Sequence, residues 1–94
     1  MNVAEIRAKY PSPRDPIDDD QTIASYCVGG ALCRSLGWAW RFPTSDMLAD
    51  AIIEANPAMK LYAIDAAMEI IRLSDACEWE AAWEKLEAAL EMQP

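Results

Sequence analysis

The side chains of this sequence that can do chemistry are chiefly carboxylates, and their spacing is regular. Glu80, Glu84, Glu87 and Glu91 follow an i, i+4, i+7, i+11 pattern, which sets them in one row along a helix face. Asp46, Asp50 and Glu54 make a second row, and Asp65 with Glu69 a third pair. Helix neighbours four apart lie ~5–6 Å apart between Cβ atoms, where like charges destabilise the helix by a few tenths of a kcal/mol per pair. Such rows serve either as a solvated face that keeps the chain soluble or as a docking surface for a basic groove on another protein. A second candidate surface is Trp38, Trp40, Arg41 and Phe42 beside Arg34. Aromatic residues with Arg are enriched at interface hot spots and can stack bases. The plainer alternative is that they close one end of the core.

Acid–base work needs no more than a close carboxylate pair, and among sixteen acids some pair lies close by chance. Other machinery is missing. There is no histidine, which removes Ser-His and Cys-His nucleophiles and every His-containing zinc site. Three cysteines without a CxxC pair do not make a structural zinc site. Gly29-Gly30 is not followed by the Gly-Lys-Ser/Thr of a phosphate loop. Asp15 to Asp20 lacks the central Gly and closing Glu of a calcium loop. The expectation is a non-enzymatic protein with no metal and no cofactor.

Net charge is −8, and it is unevenly spread. Residues 1–20 carry three basic and five acidic groups, residues 21–43 only Arg34 and Arg41, and residues 44–94 eleven acids against Lys60, Arg72 and Lys85. Direct contact with a phosphate backbone needs clustered Lys and Arg, so nucleic acid is not the expected partner. Anionic membrane surfaces are disfavoured for the same reason. No run of about 18 apolar residues exists to span a bilayer, and Met1 to Tyr10 lacks the apolar core and cleavage site of a secretory signal. The odd, small number of cysteines is no disulfide framework. On one helix, Cys27 and Cys33 would be ~9 Å apart, beyond the ~7 Å a disulfide allows. They are expected as buried, reduced thiols in a cytoplasmic protein.

These side chains need helices to hold them, and the sequence predicts about five short ones in one domain of 94 residues. Hydrophobic content is 53%, enough for one compact core. Asn2 caps a short first helix carrying Val3 and Ile6, which must stop by Tyr10 because Pro11 restricts the residue before it. A Pro- and Asp-rich loop completes residues 1–20, and residues 21–94 form the helical core. A second helix is expected from about Gln21 to Leu36, capped by Asp20 and ended by Gly37. Its middle is apolar all round, the mark of a buried helix. Gly29-Gly30 there signals close packing, a kink or a pocket.

Thr44 or Ser45 caps a third helix to about Ala55, with Met47, Leu48, Ala51, Ile52 and Ala55 as its apolar stripe. Asn56-Pro57 starts a fourth, running to about Leu73 with Leu61, Ile64, Met68 and Ile71 facing inward. Asp75 and Glu78 have capping-box spacing. The fifth helix reaches about Glu91 with Trp79, Ala82, Trp83, Leu86 and Leu90 inward. No stretch alternates with strand period. The expected fold is all-α, a compact bundle around a central apolar helix.

Two resemblances add to this. Ala66 to Pro94 resembles a single helical hairpin of the tetratricopeptide type, on Trp79, Ala82, Leu86, Ala89 and Pro94, with Ile70 standing where that family prefers glycine. The resemblance implies two packed helices and, in that family, peptide binding by several stacked units. The segment YCVGGALC resembles small proteins of phages and bacteria, and the acidic rows are similar to those of small phage inhibitors of host nucleases. The leading expectation is a protein-binding module that presents carboxylates to a basic, nucleic-acid-binding surface of a target protein. One alternative is a homo-oligomer of structural or regulatory role built on Trp38–Phe42. Another is a small ligand-binding protein or enzyme with a pocket near Gly29-Gly30.

Overall fold

A computed structural model describes residues 2–10, 27–38 and 43–93. Among the described residues the protein is all-α, with five α-helices and no strand. They are α1 (Val3–Lys9), α2 (Val28–Ser35), α3 (Ser45–Ala55), α4 (Ala63–Asp75) and α5 (Trp79–Glu91), with a single 3-10 turn, Pro57–Met59, between α3 and α4.

The hub is α2. Val28, Ala31, Leu32 and Cys33 are fully buried, and α1, α3, α4 and α5 all pack on it. The expected apolar central helix is therefore present, but it starts later than the sequence suggested. Cys27 is extended and its Sγ accepts the Gly30 N–H at 3.2 Å, so the thiol takes the N-cap role. The expected stretch from Asp20 to Tyr26 lies outside the described residues. Gly29 and Gly30 thus stand in the first turn of α2. A Cβ on Gly29 would come within 2.8 Å of a Leu48 methyl and 3.3 Å of the Pro43 ring. Here glycine marks close packing of α2 on α3. At the other end Gly37, at φ +82°, donates to the Arg34 carbonyl, and the Trp38 N–H to the Cys33 carbonyl, both at 2.9 Å. This is a Schellman motif, with Gly37 in the left-handed position that an L side chain resists.

The N-caps of α1 and α3 follow their sequences. Asn2 Oδ1 accepts from the Ala4 N–H at 2.8 Å, and Thr44 Oγ1 from the Met47 N–H at 3.3 Å. Val3 and Ile6 of α1, Leu48, Ala51 and Ile52 of α3, and Ala82, Trp83 and Leu86 of α5 are buried.

Helix α4 departs from expectation twice. Asn56 and Pro57 start only the 3-10 turn, and α4 begins at Ala63 after a further turn closed by Tyr62 N–H to the Met59 carbonyl at 2.8 Å. Its inward face is Ala63, Ala66, Ala67, Ile70, Leu73 and Ser74. The expected stripe of Leu61, Ile64 and Met68 faces outward, and only Ile71 reaches the core edge. The physical reason is crowding. Helix α4 packs against α2, α3 and α5 together, and small side chains let three neighbours approach at once.

The expected capping box at Asp75 and Glu78 is also replaced. Asp75 is the last residue of α4, and Glu78 makes no side-chain cap. Instead Cys77 N–H reaches the Ser74 carbonyl at 3.0 Å and Glu78 N–H the Leu73 carbonyl at 2.9 Å, a second Schellman turn. Cys77 sits in it at φ +60°.

Candidate interaction surface

The acidic row of α5 is exposed along its whole length, because Ala82, Trp83, Leu86 and Ala89 take the inward positions. Glu80, Glu84, Glu87 and Glu91 line a groove of about 490 Å³ whose other wall is Asn2, Val3, Ala4 and Arg7 of the α1 segment. The row is not uniform. Arg7 engages Glu80 through two guanidinium nitrogens, one of them at 3.0 Å, and lies 5.6 Å from the centroid of the Trp83 ring. That hydrogen bond holds the Glu80 carboxyl below its ordinary range, only partly opposed by desolvation. Among the described residues Glu84, Glu87 and Glu91 have no such cation. The α5 surface is thus a three-carboxylate strip with a neutralised end.

The second row, Asp46, Asp50 and Glu54, lies exposed on α3, again without an ion pair among the described residues. The third pair is split. Asp65 is exposed and unpaired among the described residues, whereas Glu69 holds Arg72 of its own helix at 2.6 and 3.1 Å. This lowers the Glu69 pKa, through the hydrogen bond first and the nearby charges of Arg72 and Lys85 after it. Arg7 and Arg72 are therefore both occupied by carboxylates. The three acidic sets do not converge on one centre. They sit on three separate helices, exposed or half-exposed on each.

The aromatic candidate surface is only partly described. Trp38 is half-buried and packed on the core, with its carbonyl accepting from Arg34 at 3.4 Å. Trp40, Arg41 and Phe42 lie outside the described residues. The thiols divide three ways: Cys33 buried, Cys27 half-buried, Cys77 exposed. Burial pushes Cys33 up to about 11 and raises Cys27 as well. The expected burial of Cys27 and Cys33 is complete only at Cys33, while Cys27 is half-buried at the N-cap of α2, and the second Schellman turn places Cys77 at the surface.

Sequence reasoning missed one surface. Leu61, Tyr62, Ile64 and Met68 are large, apolar and exposed. Their helical spacing was visible, but it reads the same for an inward and an outward face. Only the competing Ala63, Ala66, Ala67 and Ile70 positions signalled which face α4 would bury. Among the described residues no cluster of His, Cys, Asp and Glu could hold a metal ion, and no helix is long and apolar enough to cross a membrane.

Compared with known proteins, the chain matches no family model, no curated protein sequence and no solved structure.

Proposed function

We propose that this protein is a non-enzymatic binding module that presents carboxylates to a basic surface of a partner protein. The observation that carries this reading is the strip of Glu84, Glu87 and Glu91, exposed in a groove and without a cation among the described residues. The exposed Asp46, Asp50 and Glu54 of α3 repeat the four-residue spacing on another helix. A chain selected for stability alone gains from alternating charges at these spacings, so unrelieved rows favour recognition over solvation. The partner surface would be a protein groove rich in Lys and Arg, of the kind that holds nucleic acid, in the manner of a phage-type inhibitor. The α4–α5 hairpin, with Ala82, Leu86 and Ala89 at buried positions, serves in this reading as a single tetratricopeptide-like unit that supports the strip. Gly29 lends no support to a ligand pocket, since Leu48 and Pro43 fill the space beside it.

The test is capture from native lysate with the wild type and with Glu84/Glu87/Glu91→Lys, over a salt series. Glu80 is left intact so that α1 keeps its anchor. The proteins expected are those released from the wild type by rising salt and absent from the variant. An identical retained set, indifferent to salt, would sink the proposal.

A further inference from the structure

Helix α1 is held differently from the other four. Helices α2 to α5 all pack on one another, whereas α1 lies chiefly against α5 and α2. Its seven residues bury two side chains, Val3 and Ile6. A helix that short does not hold itself together in water, so α1 keeps its form through docking. Elements with few buried apolar contacts open at the low end of a protein's local stabilities. The polar part of the docking is also open to water. Arg7 forks onto the Glu80 carboxylate with two guanidinium nitrogens, but 39% of the Arg7 side chain and 74% of the Glu80 side chain are exposed. An ion pair so exposed holds weakly.

We propose that α1 is an autoinhibitory occupant of the α5 groove, displaced by a basic segment of the partner protein whose arginine takes the place of Arg7. The chain itself shows what this end of the groove accepts. The Arg7 guanidinium meets the Glu80 carboxylate and lies 5.6 Å from the centroid of the Trp83 ring. A planar fork over an aromatic ring suits arginine, whereas the compact ammonium of lysine cannot pair in this way. Asn2, Val3 and Ala4 wall the same groove. While α1 is docked, the free row is Glu84, Glu87 and Glu91. Once α1 leaves, Glu80 joins it and the row runs ~16 Å along α5. Docking of α1 therefore lowers the apparent affinity for the partner in proportion to the closed population, and loosening α1 raises it. A purely structural Arg7 predicts the opposite sign, since its loss would leave binding unchanged or weaker. The inference rests on the acidic-surface reading above and adds how that surface is uncovered and which cation it selects.

The test is a fluorescence-anisotropy titration of the full chain with a labelled helical peptide of Ala and Arg, and with its Ala and Lys counterpart. Arg7→Ala loosens α1. Lys60→Ala is the reference for the charge change alone, because Lys60 is exposed and does not line this groove. Hydrogen exchange at the Ile6 and Tyr10 amides, which donate to the Asn2 and Ile6 carbonyls at 3.1 and 2.8 Å, reports whether α1 is docked. The Arg peptide is expected to bind the wild type more tightly than the Lys peptide does. It should bind Arg7→Ala at least ~3-fold more tightly than Lys60→Ala, the combined worth of an exposed ion pair and a cation–π contact. At saturation it should speed exchange at both amides. That measurement needs only the wild type, so it decides even where Arg7→Ala weakens folding. Equal affinity for the two variants, or amides still protected at saturation, overturns the inference, while loss of that binding in Glu84/Glu87/Glu91→Lys would still uphold the acidic-surface reading. Equal binding of the two peptides overturns the choice of arginine. No binding of either peptide to the wild type or to Arg7→Ala defeats both readings.

Discussion

Asn56 ties together two helix ends that are remote in sequence, and its removal should be among the most damaging polar substitutions. Its Oδ1 accepts the Ala58 N–H at 3.2 Å, capping the 3-10 turn, while its Nδ2 donates to the carbonyls of Ala89 at 2.9 Å and Met92 at 3.0 Å. Those carbonyls end α5, which has no basic residue in its last turn. Loss of the cap in Asn56→Ala costs ~1 kcal/mol. Each lost bond to α5 adds ~0.5–1.5 kcal/mol. The sum is about 2–4 kcal/mol by those two increments, a large share of the ~5–14 kcal/mol expected for a chain of this length. At ~4–8 °C per kcal/mol for a domain of this size, a loss near ~3 kcal/mol lowers the melting temperature by roughly 12–24 °C.

Asn56→Asp sharpens the test. The carboxylate keeps the cap acceptor but turns an anionic oxygen toward two carbonyls at the negative end of α5. At neutral pH it should be at least as damaging as Ala. The folded-state pKa of such an Asp would be raised above its unfolded value of ~3.9. Its penalty is then full above the folded pKa and vanishes below the unfolded one. The Asp variant should therefore recover relative to the Ala variant as pH falls toward ~4. Urea denaturation of both variants across pH is the assay. An Ala variant that loses less than ~1 kcal/mol, the typical worth of a cap alone, or an Asp variant equal to wild type at pH 7, would refute the reasoning.

Three further outcomes follow from particular residues. Cys77→Gly should stabilise the protein by roughly 0.5–1 kcal/mol, because a left-handed L residue costs ~1–2 kcal/mol and glycine's unfolded-state entropy returns about half of that; denaturant midpoints at unchanged slope will show it. With a thiol reagent at pH 8, the exposed Cys77 should react in one fast phase that Cys77→Ser abolishes. Cys33, buried and with its pKa pushed up to about 11, should react only as the protein unfolds, and fast labelling that Cys33→Ala removes would contradict this. The depressed carboxyls of Glu80 and Glu69 make stability contributions that are present above the unfolded carboxyl range and lost as pH falls through their folded values. NMR titration should place both below the ordinary glutamate value, and Arg7→Ala should return Glu80 alone toward it.

Local chemistry was legible along the chain. Asn2, Thr44 and Gly37 announced helix ends because capping depends on a few consecutive residues and little else. The unbroken apolarity of Val28 to Cys33 announced the buried hub, since no polar face was left to turn outward. The carboxylate rows were legible for the same reason, as helical spacing alone places them on a face. What the sequence could not decide was choice between partners. Helix α4 carries two faces with helical period, one of alanines and one of larger apolar residues, and only the crowding of α2, α3 and α5 around it selected the small one. That choice exposed Leu61, Tyr62, Ile64 and Met68. In the same way Arg7, 73 residues away from Glu80 in the chain, found its carboxylate only when α1 docked on α5, and so shortened the free acidic row to Glu84, Glu87 and Glu91. Periodicity states which residues share a face, but what that face meets depends on contacts between distant segments, and these exist only in the folded chain.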